Sequence, residues 1–211
     1  MAQVTLTFDN GPDPLATPLV LDCLAQHGVK STFFVLGQNV SASAGLDLAR
    51  RARREGHWIG NHTWSHTGRL GEMTREAALE EFDRTQQALA WLEQPVRLFR
   101  PRGGGGRLGK GLLNPAIVER LTAGGFTCVL WTSVPGDFRD PDGWVDRALA
   151  DCRSRDWSLV VLHDIRNGAV KHLNSFLRKL AAEGHSFTQE FPPDCTPIVT
   201  GRVLQPLDQF C

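Results

Sequence analysis

His62-Thr63-Trp64-Ser65-His66 places two imidazoles four residues apart. On one helical turn, or on a loop that imitates one, they point the same way and can share a metal ion, and a neutral imidazole pair suits zinc. The plain alternative is two solvated surface histidines, and the spacing alone does not choose. Asp9 sits within Thr7-Phe8-Asp9-Asn10-Gly11-Pro12-Asp13. That run is strong turn chemistry, but it also suits a carboxylate general base held on a sharply turning backbone. Such a base needs a water within reach and a counter-charge to stay ionised, which Arg100 would supply. His163 ends the apolar run Leu159-Val160-Val161-Leu162. A lone histidine there is usually structural. Beside a metal and a base it becomes the natural acid for a departing amine, with Asp137 keeping it protonated.

Groups so far apart in sequence need a scaffold that gathers them. Strand-like runs occur at Val4–Phe8, Ser31–Leu36, Trp58–Gly60, Arg97–Phe99, Phe126–Trp131, Leu159–Leu162 and Ser186–Phe191. Helical patterns fall between them at Pro14–His27, Leu46–Glu55, Thr74–Glu93, Pro115–Ala123, Gly143–Arg153 and Ala169–Glu183. In the last of these, Leu173, Phe176, Leu177 and Leu180 share one face. Such alternation implies parallel strands covered by helices, in a closed or nearly closed barrel of about seven strands or a doubly wound sheet. In either, reactive groups collect at the carboxyl ends of strands. Asp9, His62, Arg100, Asp137 and His163 all follow apolar runs, as that rule requires.

The chain has 211 residues, with 23 Lys plus Arg against 23 Asp plus Glu, so no net field points to nucleic acid or an anionic membrane. Its length suits one domain, expected over residues 1–200 with a tail at 201–211. The first residues read at once as a strand, not as an export signal, and the expectation is a cytoplasmic protein. Cys23, Cys128, Cys152, Cys195 and Cys211 are odd in number and form no C-x-x-C pair, which suits reduced thiols. The glycine-rich stretch Arg102–Gly111 nearly spells a phosphate loop, but Gly111 stands where a Ser or Thr would hold magnesium. Nucleotide binding is rejected there.

Five segments, in order, resemble the motifs of the polysaccharide deacetylases, carbohydrate esterase family 4, over about residues 3–191. Thr7-Phe8-Asp9-Asn10-Gly11-Pro12 is similar to T-F-D-D-G-P, and His62 to His66 to H-[ST]-x-x-H. Phe99-Arg100-Pro101-Arg102-Gly103-Gly104 is similar to [FY]-R-P-P-[YF]-G. The run from Trp131 to Phe138 resembles a fourth motif ending in D-W, and Val160 to Asp164 resembles L-x-L-H-D. The resemblance implies a distorted (β/α) barrel and hydrolytic removal of an acyl group, an acetyl, from an amino sugar or oligosaccharide. It implies Asp9 as base, His163 as acid, Arg100 orienting Asp9, and Asp137 paired with His163. Asn10, His62 and His66 would hold a divalent metal, with zinc expected. The Gly103 N–H would face the oxyanion, and Trp131 and Leu162 would line the pocket for the acyl methyl.

The chain departs from the pattern at three places. Asn10 replaces a metal-binding aspartate, which weakens the expected site by one charge. Gly103 replaces an aromatic residue, removing a wall of the groove, and Phe138 replaces a tryptophan. These changes leave open an amidohydrolase of the same fold acting on a small cyclic imide, ureide or acylamide. A carbohydrate-binding module without activity is the third reading, but a binder has no use for a paired acid and base.

Overall fold

Alternation along the first strand, β1 (Gln3–Asp9), sets the layers of the molecule. Val4, Leu6 and Phe8 pack outward among helical side chains that include Val20, Leu24, Trp144, Phe176 and Leu177. Thr5, Thr7 and Asp9 project to the opposite face and are equally buried, inside the sheet's curl. The computed structural model describes residues 2–211. The order continues as α1 (Thr17–Gln26), β2 (Thr32–Val35), α2 (Gly37–Val40), α3 (Ser43–Arg54), β3 (Trp58–Asn61) and α4 (Arg75–Ala88). Then come β4 (Leu98–Phe99), α5 (Pro115–Ala123), β5 (Thr127–Cys128), α6 (Trp144–Arg153), β6 (Trp157–His163), α7 (Leu173–Ala182) and β7 (Ser186–Thr188). A hairpin, β8 (Ile198–Val199) and β9 (Arg202–Val203), ends the series.

The parallel strands run in the order β6-β1-β2-β3-β4-β5. A parallel bridge between Ser133 and Val160 brings the chain beyond β5 back to β6, so the curl is almost a ring. On its other edge β1 is shared: Gln3–Thr5 pair with Ser186–Thr188, and Thr7–Asp9 pair with Thr32–Phe34. The distorted (β/α) barrel expected from the sequence is the fold observed. Local signals place its helices. Thr74 accepts a hydrogen bond from the Ala77 N–H at the start of α4, and Asn114 does the same from Ala116, with Pro115 in the first turn of α5.

All seven expected strands and six expected helices recur, with β4 and β5 reduced to two residues each. Helix α2 and the antiparallel β8–β9 hairpin are additions, both too short to show a period. The stretch expected as a tail is ordered against the body: Arg202–Val203 form β9, and Phe210 is buried, its carbonyl accepting from the Leu113 N–H. Five free thiols are present, as expected, with Cys128, Cys152 and Cys195 buried. No helix among the described residues is long and apolar enough to cross a membrane.

Candidate active site

At the carboxyl ends of the parallel strands a cavity of about 370 Å³ opens, and Asp9, Asn10, His62, His66, Gly103, Trp131 and His163 all line it. Asp9 is the last residue of β1 and His163 the last of β6, and the two stand opposite each other in register. One pocket therefore holds the carboxylate and the imidazole together.

Each has a dedicated partner behind it. Arg100, wholly buried just beyond β4, donates from Nη1 to Asp9 Oδ1 at 2.8 Å and to Thr7 Oγ1 at 2.7 Å. Its remaining N–H groups donate to the carbonyls of Val129 and Leu130, and its guanidinium lies 4.0 Å above the Phe34 ring. Burial alone would raise the Asp9 pKa. The Arg100 charge, helped by His163, outweighs it and holds the carboxyl below its ordinary range. Asp137, fully buried, accepts both the His163 backbone N–H and its Nδ1–H, each at 2.8 Å. Burial disfavours the imidazolium, but the Asp137 carboxylate more than offsets this and raises the His163 pKa. That bond also leaves Nε2 as the nitrogen free to meet a substrate.

The His62–His66 segment is a loop and not a helical turn, with Thr63 at φ 70° and His66 at φ 57°. The two rings nevertheless lie 4.8 Å apart, centroid to centroid. Glu81 on α4, which the sequence did not single out, holds this loop by accepting from the Trp64 N–H, the Ser65 N–H and the Ser65 hydroxyl. His62 Nδ1 meets the Arg100 carbonyl at 2.8 Å, so that nitrogen carries the proton and Nε2 carries the lone pair. This lone pair faces Asp9 Oδ2 at 3.4 Å, two acceptors turned toward each other. Asn10 Oδ1 is buried and has no hydrogen-bond partner. Burial, with the nearby Arg102 charge, pushes the His66 pKa down to about 3, so its imidazole is neutral at neutral pH. An orphaned amide oxygen and two neutral imidazoles are a donor set that fits a divalent cation. Among the described residues no three His, Cys, Asp or Glu side chains form a metal-binding group.

Two expectations about the walls need amending. Leu162 does not line the pocket: strand parity turns it outward, wholly buried beside Phe8, and Val161 takes the inward place next to His163. Nor is the groove open at Gly103. A Cβ there would lie 2.5 Å from the Trp131 ring, so the glycine admits the indole, whose N–H donates to the Gly106 carbonyl at 2.8 Å. Phe138 packs edge-on against the His163 ring at 4.6 Å. Arg102 and Arg139 also border the cavity, and neither was expected there.

The family profile described as polysaccharide deacetylase matches residues 2–126. This chain belongs to the polysaccharide deacetylase family. It is 32% identical, over 87% of its length and 84% of the relative's, to a peptidoglycan-N-acetylglucosamine deacetylase of Bacillus cereus. It is 36% identical, over 77% of its length and 71% of the relative's, to a chitooligosaccharide deacetylase of Rhizobium leguminosarum bv. trifolii. Peptidoglycan deacetylases of Listeria monocytogenes that it also matches are longer, and the chain spans 37% of their length. Among solved structures, a family 4 acetyl xylan esterase from Clostridium thermocellum, in complex with a cobalt ion, superposes with a TM-score of 0.71 at 27% identity. That superposition covers 89% of this chain and 87% of the esterase.

Proposed function

We propose that this polysaccharide deacetylase family member removes acetyl groups from the amide nitrogen of an amino sugar within an oligosaccharide or glycan. The observation that carries the reading is the shared cavity, where Asp9 and His163 stand with Arg100 and Asp137 behind them. The relatives' amino-sugar substrates support it over the cyclic-imide alternative.

Asp9, kept ionised by Arg100, takes a proton from the attacking water. Its Oδ1 is engaged by the guanidinium, which leaves Oδ2 for that proton. As the water oxygen bonds to the amide carbon, the carbonyl oxygen gains charge, and the Gly103 N–H is the proposed donor to it. His163, held protonated by Asp137, delivers a proton from Nε2 to the nitrogen as the C–N bond breaks, so acetate and a free amine leave. Each proton-transfer role is worth on the order of 10²–10⁴ in rate. Trp131 and Val161 offer apolar surface for the acetyl methyl. Asn10, His62 and His66 would hold a divalent metal, zinc by the donor set, and when bound it supplies positive charge that polarises the amide carbonyl. A cobalt ion in the esterase structure supports a divalent site.

The test is acetate release from N-acetylchitooligosaccharides and from peptidoglycan fragments, with zinc or cobalt supplied. The expected result is release that falls at least 10²-fold in Asp9→Asn and in His163→Gln. Absence of release from every N-acetylated sugar, with either metal, overturns the reading.

A further inference from the structure

Besides Arg100, which is spent on Asp9, the cavity is bordered by two guanidinium groups that the deacetylation steps do not use. Arg102 is half-buried, and its Nε is shielded from solvent with no hydrogen-bond partner. Arg139 is exposed, with its guanidinium 5.0 Å above the Phe138 ring, the ring that packs on His163. Among the described residues neither arginine is paired with a carboxylate. Both stand at the glycine loop: Arg102 begins it, and a Cβ on Gly105 would lie 2.8 Å from Arg139 Nη2. Arg107 and Lys110 extend positive charge along the same exposed loop. The chain as a whole is neutral, so this is a local surplus. Asp9 is the one carboxylate lining the cavity, and Arg100 already neutralises it. A buried, unmet guanidinium N–H is costly unless a ligand satisfies it, and a planar N–H fork matches an oxyanion two-toothed.

We propose that Arg102 and Arg139 form a specificity site for an anionic group, a carboxylate, carried on the amino sugar whose amide is cleaved. The inference rests on the deacetylase reading for its setting, and it concerns which sugar is chosen. The arginines act on binding of the charged substituent. The glycine loop permits this because side chains at Gly103 and Gly105 would collide with Trp131 and Arg139.

The test compares 3-O- and 6-O-carboxymethyl ethers of an N-acetylglucosamine trisaccharide with their uncharged methyl esters, on the zinc-supplied full chain. Turnover is read as kcat/KM, and equilibrium binding is read separately with the Asp9→Asn chain. For at least one of the two ethers, acid should be preferred over ester by about tenfold or more in both readouts, and the preference should shrink as salt rises. In an Arg102→Gln, Arg139→Gln chain the acid-to-ester ratio should fall toward one, while Arg102→Lys should keep part of it. Because the ratio is taken within each protein, a partly folded variant does not mimic the result. Equal binding of acid and ester by both ethers, or a ratio that survives the double substitution, overturns the proposal. If no sugar is deacetylated, the function reading fails, and the binding ratio still decides the anion site.

Discussion

Replacing Arg100 by methionine would expose how the site keeps a buried carboxylate ionised. Arg100 is fully buried, and Asp9 is almost so. The substitution removes the 2.8 Å ion pair and the donors to Thr7, Val129 and Leu130, leaving the buried carboxylate without its guanidinium. Deleting one partner of a buried pair costs about 3–5 kcal/mol, because the survivor's charge is uncompensated. For a chain of this size that is a fall in Tm of about 6–20 °C at pH 7. The dependence on pH should also change sign. In the parent, Asp9 titrates below its unfolded range, so its contribution is present at neutral pH and is lost only as pH falls through the lowered pKa. In the variant, burial is unopposed by its main counter-charge, the carboxyl is pushed up, and protonation on going from pH 7 to 5 should restore stability. Thermal unfolding at the two pH values, with a double variant Asp9→Asn, Arg100→Met, checks this. The double variant should recover part of the loss. A single variant that loses under about 1 kcal/mol at pH 7, and gains nothing at pH 5, would mean Arg100 does not neutralise Asp9.

Other outcomes follow from the same geometry. Asp137→Asn removes the carboxylate that raises His163, so the alkaline limb of the pH–rate profile, where the acid loses its proton, should move toward lower pH. Asn10→Asp restores a charge at the orphaned amide position and should tighten binding of zinc or cobalt, read by competition with a chelator. Glu81→Gln weakens the three bonds that hold the His62–His66 loop and should reduce metal affinity by about 10–100-fold without removing a ligand. Gly103→Ala forces the Trp131 ring to shift and should cost about 1–3 kcal/mol in unfolding experiments, together with a lower kcat/KM.

The positions of Asp9, His62, Arg100, Asp137 and His163 were legible because each ends or follows an apolar run, and carboxyl ends of parallel strands converge. Leu162 is placed in the pocket by the family resemblance alone, and the fully apolar run around it does not tell which strand parity looks inward. Glu81 was hidden among the other acidic residues of a surface helix, where a carboxylate needs no explanation. His66 could be placed near His62 by spacing, but the left-handed backbone at Thr63 and His66 that brings the rings together leaves no compositional mark in these residue types. Arg102 opens the glycine-rich stretch that the sequence weighs only as a phosphate loop. Its relation to Arg139 is made by the loop lying over Trp131, a contact between distant segments.

The placement of β1 has a consequence for how the molecule is built. Its opening residues find their hydrogen-bonding neighbours near residues 157–163 and 186–188, the last quarter of the chain. During synthesis Thr7–Asp9 can find Thr32–Phe34 early, but the pairings with residues 157–163 and 186–188 must wait until those segments have emerged. Contacts of such long sequence separation slow folding, so refolding should be rate-limited by the docking of this strand. Substitutions at Val4, Leu6 or Phe8 that lower yield would do so by lengthening the wait as much as by weakening the finished barrel.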